Sequence, residues 1–337
     1  MTRAILVVGA TGNQGGAVID NLLQSEASFT ILAVTRDPGS SAAQRLAHKS
    51  SEVKLICGDL DDPFALFKNT KAIVSEPVWG VYFVQNPLAS KQTPEQEVKQ
   101  ARKFIDECIH HKVRFFVYGS VDRGGDQSFN NRTPVPHFAS KYDIEHYLVE
   151  KAPLANMDWT FLRPTGFMDN YKPGFQAKIF LTCWKIAIKD KPLQLIAASD
   201  IGYFAAQAFM APERYKAQAI SLAGDELTFN QASKIFEKTT GQGIPLTFEI
   251  FASLVLFFLK GIGLMFKWMQ DEGFNANVQE LRSSHPHLVK FETYLETQSG
   301  YVSRKQGNIA DHINTISFGN LSKNFQDAIT VTRSIGI

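Results

Sequence analysis

Residues 9–16 read Gly9-Ala10-Thr11-Gly12-Asn13-Gln14-Gly15-Gly16 and follow directly on a short apolar run, AILVV at 4–8. Glycines at 9, 12 and 15 give a G-x-x-G-x-x-G spacing. Gly9 permits a sharp turn, Gly12 lets the backbone approach a pyrophosphate, and Gly15 lets the next helix pack close to the sheet. Val18, Ile19, Leu22 and Leu23 then recur at helical spacing. A helix that starts in such a loop aims its unpaired N–H groups and positive dipole end at a phosphate. A glycine-rich turn alone says little, but a strand before it and a helix after it form the setting of a dinucleotide site. Gly9, Thr11, Gly12, Asn13, Gln14 and Gly15 are therefore candidate cofactor contacts.

Short β-rich runs alternate with helix-period segments through about residue 120, the pattern of βαβ units feeding a parallel sheet. Strands are expected at 29–34, 53–56, 113–118 and 159–162, with another bracketed by 72–74 and 81–84 around Trp79 and Gly80. Thr93, Pro94 and Gln96 mark a helix start of the capping-box kind, and Val98, Ala101, Phe104, Ile105, Cys108 and Ile109 form its apolar stripe. The later alternation is looser, with helices expected at 201–210 and 230–239 and a strand at 220–222. For 337 residues, about 150 per domain suggests two units. The expectation is an α/β, doubly wound parallel sheet over residues 1–165, with later strands contributed from 190–225. Residues 166–337 would form a smaller mixed α/β domain, of which 303–337 is too polar to place.

Composition closes off several classes. Apolar residues make up 44%, enough for a full core and against disorder. Lys plus Arg number 35 against 33 acids, so the net charge of +2 supplies no electrostatic reason for nucleic acid or a membrane as main partner. Cys57, Cys108 and Cys183 are far apart, which argues against a disulfide framework or a metal site and for a reducing interior, the cytoplasm with the nucleus open. Residues 250–269, IFASLVLFFLKGIGLMFKWM, have the length of a membrane span. Lys260 in their middle would cost about 2.5–3.5 kcal/mol there, so a buried helix pair under a lid, or a pocket wall, is expected instead.

Cofactor choice falls at the end of the second strand, Thr35-Arg36-Asp37. An arginine there can grip a 2′-phosphate and stack on adenine, which favours NADP(H) over NAD(H); an acid serving the ribose of NAD would be the alternative use of Asp37. Asp59, with Leu60 beside it, follows the third strand, where its carboxylate can accept from the adenine amine. Asp61 and Asp62 read as helix caps before Pro63.

The loop GATGNQGG, the segments VTRDP, GDLDD, EQEVKQ at 95–100 and HFASK at 137–141, with RPTGFMDN at 163–170 and LAGDEL at 222–227, together resemble the NmrA-like family. These are atypical members of the short-chain dehydrogenase/reductase superfamily, and the likeness covers roughly the first 240 residues. It implies a Rossmann-type NADP(H)-binding domain, nicotinamide-side contacts from Gln85 and Asn86, a lysine near the cofactor at Lys99, and a cleft lined by Phe167, Met168, Asp169 and Asn170. Lys99 reads equally as a surface lysine, and Phe167 and Met168 equally as core. In the wider superfamily a tyrosine precedes a lysine by four residues on one helical face, and the ammonium lowers the phenol's pKa. Here Lys141 is kept and His137 stands at the tyrosine's position. These two are the candidate catalytic residues: a histidine beside a cation is less protonated than a free one. Ser120, near the place of the superfamily's serine, reads as a turn residue.

Two functions follow, the first preferred because His137 stands at the tyrosine's position. The likeness implies a nucleotide-binding regulator, a redox sensor or a protein acting on a transcription factor, with weak or no catalysis. The other is an NADPH-dependent oxidoreductase reducing an apolar carbonyl or enone, which the 26 phenylalanines and the 250–269 run would suit.

Overall fold

Alternating apolar and amphipathic runs turn into βα units from the first residues of the chain. A computed structural model describes residues 2–25, 27–87 and 92–302; the expectations for 303–337 lie outside the described residues. The first half comprises β1 (Arg3–Val7), α1 (Asn13–Gln24), β2 (Phe29–Thr35), α2 (Ser41–Ala47), β3 (Val53–Cys57), α3 (Pro63–Ile73), β4 (Val78–Phe83), α4 (Pro94–His110), β5 (Phe115–Gly119), α5 (Pro136–Lys151) and β6 (Asp158–Pro164). The second half adds β7 (Gly166–Phe167), α6 (Phe175–Cys183), β8 (Leu193–Ile196), α7 (Ala198–Met210), α8 (Pro212–Tyr215), β9 (Gln218–Leu222), β10 (Asp225–Leu227), α9 (Phe229–Thr240), α10 (Glu249–Phe258), α11 (Lys260–Asp271), α12 (Val278–Ser284) and α13 (Phe291–Thr297).

Seven strands form one parallel sheet in the order β3-β2-β1-β4-β5-β6-β9. Every residue of β5 is buried, as are Ala4 to Val7 of β1, because helices cover both faces. Helices α1 and α7 pack together over one face and α4 packs on α5 over the other. Strand order reverses between β1 and β4, the switch point where doubly wound sheets bind ligands at their carboxyl ends. This is the expected α/β architecture. Strand β9 extends the large sheet, whereas β10, β8 and β7 form a separate three-stranded sheet beside an aromatic core that includes Trp184, Phe229, Trp268 and Tyr294.

Three expectations change. Ala72 and Ile73 end α3, with Val74 as its extended C-cap, and the helix is capped at its start by Asp62 accepting from the Ala65 amide, with Pro63 at its first position. Trp79 and Gly80 lie inside a continuous β4, and a Cβ on Gly80 would press on the Phe209 ring at 3.0 Å, so glycine lets α7 lie against the sheet. Helix α2 was not anticipated, since seven residues are too few to display a periodic stripe. Residues 250–269 do form a helix pair, bent by 105°, but of α10 only Ala252 is buried. No described helix is long and apolar enough by itself to cross a membrane.

Candidate functional site

The glycine loop closes tightly between β1 and α1. Gly9 has φ +70°, and a Cβ there would lie 2.8 Å from Val84 Cγ1. The Gly12 amide donates to the Gly9 carbonyl at 3.0 Å. A Cβ on Gly15 would fall 2.3 Å from that same oxygen, so backbone fills the space a side chain would need. Gly12 is the N-cap residue of α1, with no capping side chain and no acid in the first turn. By contrast, Thr93 and Gln96 close the start of α4 in a full capping box. The open start of α1 is thus a cradle of amides that fits a pyrophosphate. Thr11, Gly12 and Asn13 are exposed on it. Gln14 is tied back instead, its Oε1 accepting from Tyr82 Oη at 3.1 Å.

Toward the β2–β3 edge, Arg36 is exposed and forms no ion pair among the described residues. The Asp37 carboxylate accepts from the Gly39 amide at 2.9 Å and so serves its own turn. Asp59 is also exposed, with one oxygen taken by the Asp61 amide at 2.9 Å; Leu60 packs on the core. Asp62 caps as expected, but Asp61 does not: it accepts from Gln100 Nε2 at 2.7 Å.

Past the switch point, Lys141 is buried and its Nζ lies 2.5 Å from Glu97 Oε1. Ser140 Oγ donates to the other oxygen of Glu97 at 2.5 Å. Gln85 donates to the Glu97 carbonyl at 3.0 Å, which ties the end of β4 to α4; its own Oε1 is buried without a partner. Asn86 and Lys99 are exposed, and Lys99 stands on the outer side of α4 while Glu97 is buried. Sequence reasoning missed Glu97. The signal was there: with Ala101, Phe104 and Cys108 it falls on the buried stripe of α4, a carboxylate where an apolar residue is expected.

His137 is half-buried at the start of α5, edge-on to the Phe138 ring. Burial, and then the nearby Lys141 charge, push its pKa down to about 4. At neutral pH it is therefore an uncharged imidazole and no acid. Tyr118 places its ring centroid 5.6 Å from Lys141 Nζ, but it is fully buried and that burial raises its phenol pKa well above the usual value. Tyr147 donates to Asp106 at 2.7 Å, away from Lys141.

A second buried charge cluster lies next to the first. Glu145 accepts from Arg163 Nε at 3.0 Å, Arg163 NH2 at 2.8 Å, Arg123 NH2 at 2.7 Å and Ser120 Oγ at 2.5 Å. Burial works to raise its pKa, yet the two guanidinium groups hold it below the usual carboxylate value. Ser120 is thus a buried partner of Glu145 rather than a turn residue. Asp122, also buried, joins β9 and the 275 region by accepting from Ser221 Oγ and the Asn275 amide. These links hold the carboxyl ends of β5, β6 and β9 together.

Of the four residues after β6, Met168 is wholly buried in the aromatic core, and Phe167 packs against the large sheet's core. Asp169 accepts from the Ala198 amide at 2.9 Å, at the start of α7, and pairs with Lys172. Asn170 is half-buried. Asp169 and Lys172 face a cleft of about 590 Å³ that reaches Gly12 and Asn13 and is closed by Tyr203, His285 and His287. His285 stacks on Tyr203 and meets Asp200 at 3.2 Å. Among the described residues no group of three or more His, Cys, Asp or Glu could hold a metal ion.

This geometry has counterparts. The chain is 27% identical over 293 residues to the NmrA-like family domain-containing oxidoreductase hkm9 of Aspergillus hancockii, covering 81% of this chain and 84% of that one. In structure it is similar to NmrA, described as a negative transcriptional regulator and crystallised with NAD (TM-score 0.66, 16% identity, 88% and 95% covered). It is equally similar to the Citrobacter sp. triphenylmethane reductase complexed with NADP(H) (TM-score 0.67, 17% identity, 87% and 99% covered). At such identities the two solved structures speak for the fold. The NmrA-like family model matches residues 1–293, nearly all of the described chain, and on that match the protein belongs to the NmrA-like family.

Proposed function

We propose that this protein binds NADP(H) across the carboxyl edge of its large sheet and works as an oxidoreductase on an apolar small molecule. The observation that carries the reading is the uncapped start of α1 inside a loop where Gly9 holds a positive φ and a Cβ on Gly15 would collide with the Gly9 backbone. The amides of residues 11–13 would hold the pyrophosphate, and Arg36 the 2′-phosphate, with Asp37 already engaged in its own turn. Lys141 would face the nicotinamide ribose. Bound there, the cofactor supplies a hydride.

The chain's own residues near Lys141 orient and exclude water rather than donate a proton. His137 is neutral, Lys141 is held by Glu97, and Tyr118 is sealed in the core. Such a site suits an acceptor whose reduction does not need a proton from the protein in the same step. The names of hkm9, an oxidoreductase, and of the triphenylmethane reductase support the catalytic reading.

A regulator without turnover is the second reading, favoured by the same missing proton donor and by the likeness to NmrA. Calorimetry with NADP⁺, NADPH, NAD⁺ and NADH, then a turnover screen on quinones, enones and cationic conjugated acceptors, separates the two. Heat with NADPH and oxidation of it by at least one acceptor is the expected result. Tight binding with no turnover would move the conclusion to the regulator, and no heat with any dinucleotide would end both. Arg36→Ala should weaken NADPH binding by about 10–150-fold and leave NADH unchanged, as loss of charge-assisted hydrogen bonds to a phosphate demands.

A further inference from the structure

Helix α10 forms an arm with α11 and turns most of its apolar side chains outward. Phe248, Phe257 and Phe258 are 75%, 74% and 69% exposed, and Ile250, Phe251, Leu254, Leu259 and Phe175 join them. Scattered apolar residues on a surface are ordinary, but a contiguous set of this size marks a contact surface. The arm is attached through Ala252, with Val255 and Leu256 half-buried, and through Phe266, Trp268 and Met269 of α11, which are buried in the aromatic core. Cys183 Sγ of α6 donates to the Ala252 carbonyl, and Thr182 Oγ1 accepts from the Thr247 amide.

We propose that this arm lies in the headgroup boundary of an anionic bilayer, docking the protein on a lipid surface without spanning it. Ten residues of α10 extend only ~15 Å, against roughly 30 Å of hydrocarbon. At the 105° bend α11 approaches α10 so closely at Gly263 that a Cβ there would lie 2.1 Å from the Leu256 carbonyl oxygen, and α11 is held in the core by Phe266, Trp268 and Met269. A short exposed α10 beside an α11 anchored in the core can lie in the interface.

Charge selects the occupant. Residues 171–191 and 248–271 carry seven lysines against Asp190, Glu249 and Asp271, although the whole chain is nearly neutral at +2. Of these, Lys172, Lys185 and Lys267 are ion-paired with Asp169, Glu249 and Asp271, and Lys191 donates to the 270–272 carbonyls. Glu249, at the start of α10, is matched by Lys185 at 2.8 Å. Lys178, Lys189 and Lys260 are exposed and form no ion pair among the described residues. Apolar groups flanked by unpaired lysines suit acidic lipid headgroups. A second copy seated face to face would set the same lysines against themselves.

The test is flotation of the full chain with vesicles of phosphatidylcholine, alone or mixed with phosphatidylserine. The chain should float with the mixed vesicles at least ~tenfold more than with phosphatidylcholine alone, and lose that binding as salt is raised. Phe257→Asp with Phe258→Asp should abolish it, and Lys260→Glu should weaken it about fivefold or more, each with an unchanged thermal unfolding midpoint. Flotation with neither lipid mixture overturns the proposal, as does flotation that survives the double substitution. A concentration-dependent dimer in sedimentation, lost in the same variants and without flotation, would assign the face to a second copy instead. None of these readouts depends on dinucleotide binding or turnover.

Discussion

The carboxyl edge of the large sheet and the α10–α11 arm break the same burial rule in opposite directions. At the edge, Glu97, Lys141, Glu145, Arg123, Arg163 and Asp122 are charged and buried. On the outer face of α10, Phe251, Leu254, Phe257 and Phe258 are apolar and exposed. The difference is where each finds its complement. Every buried charge at the edge meets a partner in this chain within hydrogen-bond distance, so folding itself satisfies the desolvated groups. The outward side chains of α10 find no apolar complement among the described residues, although Phe266, Trp268 and Met269 of α11 pack into the aromatic core. A group satisfied within the fold orients a site; a group left unsatisfied calls for something outside it.

Breaking the edge should cost most. Glu145→Ala leaves two buried guanidinium groups without a carboxylate and should lower stability by about 3–5 kcal/mol, read from urea unfolding. A loss below ~1 kcal/mol would mean that water reaches the cluster and that the contrast with the arm is overstated. Glu97→Ala strands only one cation, Lys141, and should fall at the lower end of the same range. The double variant Glu97→Leu with Lys141→Met removes both charges and should recover most of that stability. It should not recover turnover or dinucleotide affinity, which distinguishes a functional pair from a merely structural one.

The next effect is a titration. The folded chain holds His137 at about 4 against an ordinary value of 6.5, so the neutral form is favoured by folding. Between those values the unfolded chain binds a proton that the folded one refuses. Stability from this group is therefore complete above pH 6.5 and drains away as pH falls toward 4, by up to ~3 kcal/mol. His137→Gln should flatten that part of the stability-against-pH curve; an unchanged slope would show that the imidazole is solvated. The smallest effect belongs to the arm. Phe257→Ser should change stability by no more than ~0.5 kcal/mol, as at an ordinary surface position. A loss of ~2 kcal/mol or more would show that the ring is packed and that the arm resembles the core after all.

Much of the dinucleotide half was legible because its signals are local. The glycine spacing, the apolar run of β1, Asp62 before Pro63 and the capping box at Thr93 each act within a few residues. The partners of Lys141 were not legible, since Glu97 lies 44 positions away and reaches it only because α4 packs on α5. Ser120 failed for the same reason: its role depends on Glu145, 25 residues on. His285 and His287, which fit no motif, come to line the cleft because α7 delivers Asp200 and Tyr203 to them. Met168 matched a family segment, yet packing put it in the core.

The order of residues by itself determined the strand–loop–helix unit at 3–24, the repeated βα pattern and the start of α4, because backbone conformation and capping answer to neighbours along the chain. Tertiary structure decided that β8 would leave the large sheet, that Lys141 would be held by Glu97, and that the first half of the most apolar stretch would end up outside while the second packed into the core. Hydropathy states what a segment would gain from burial. Only the packing of distant elements decides whether there is anything to bury it against.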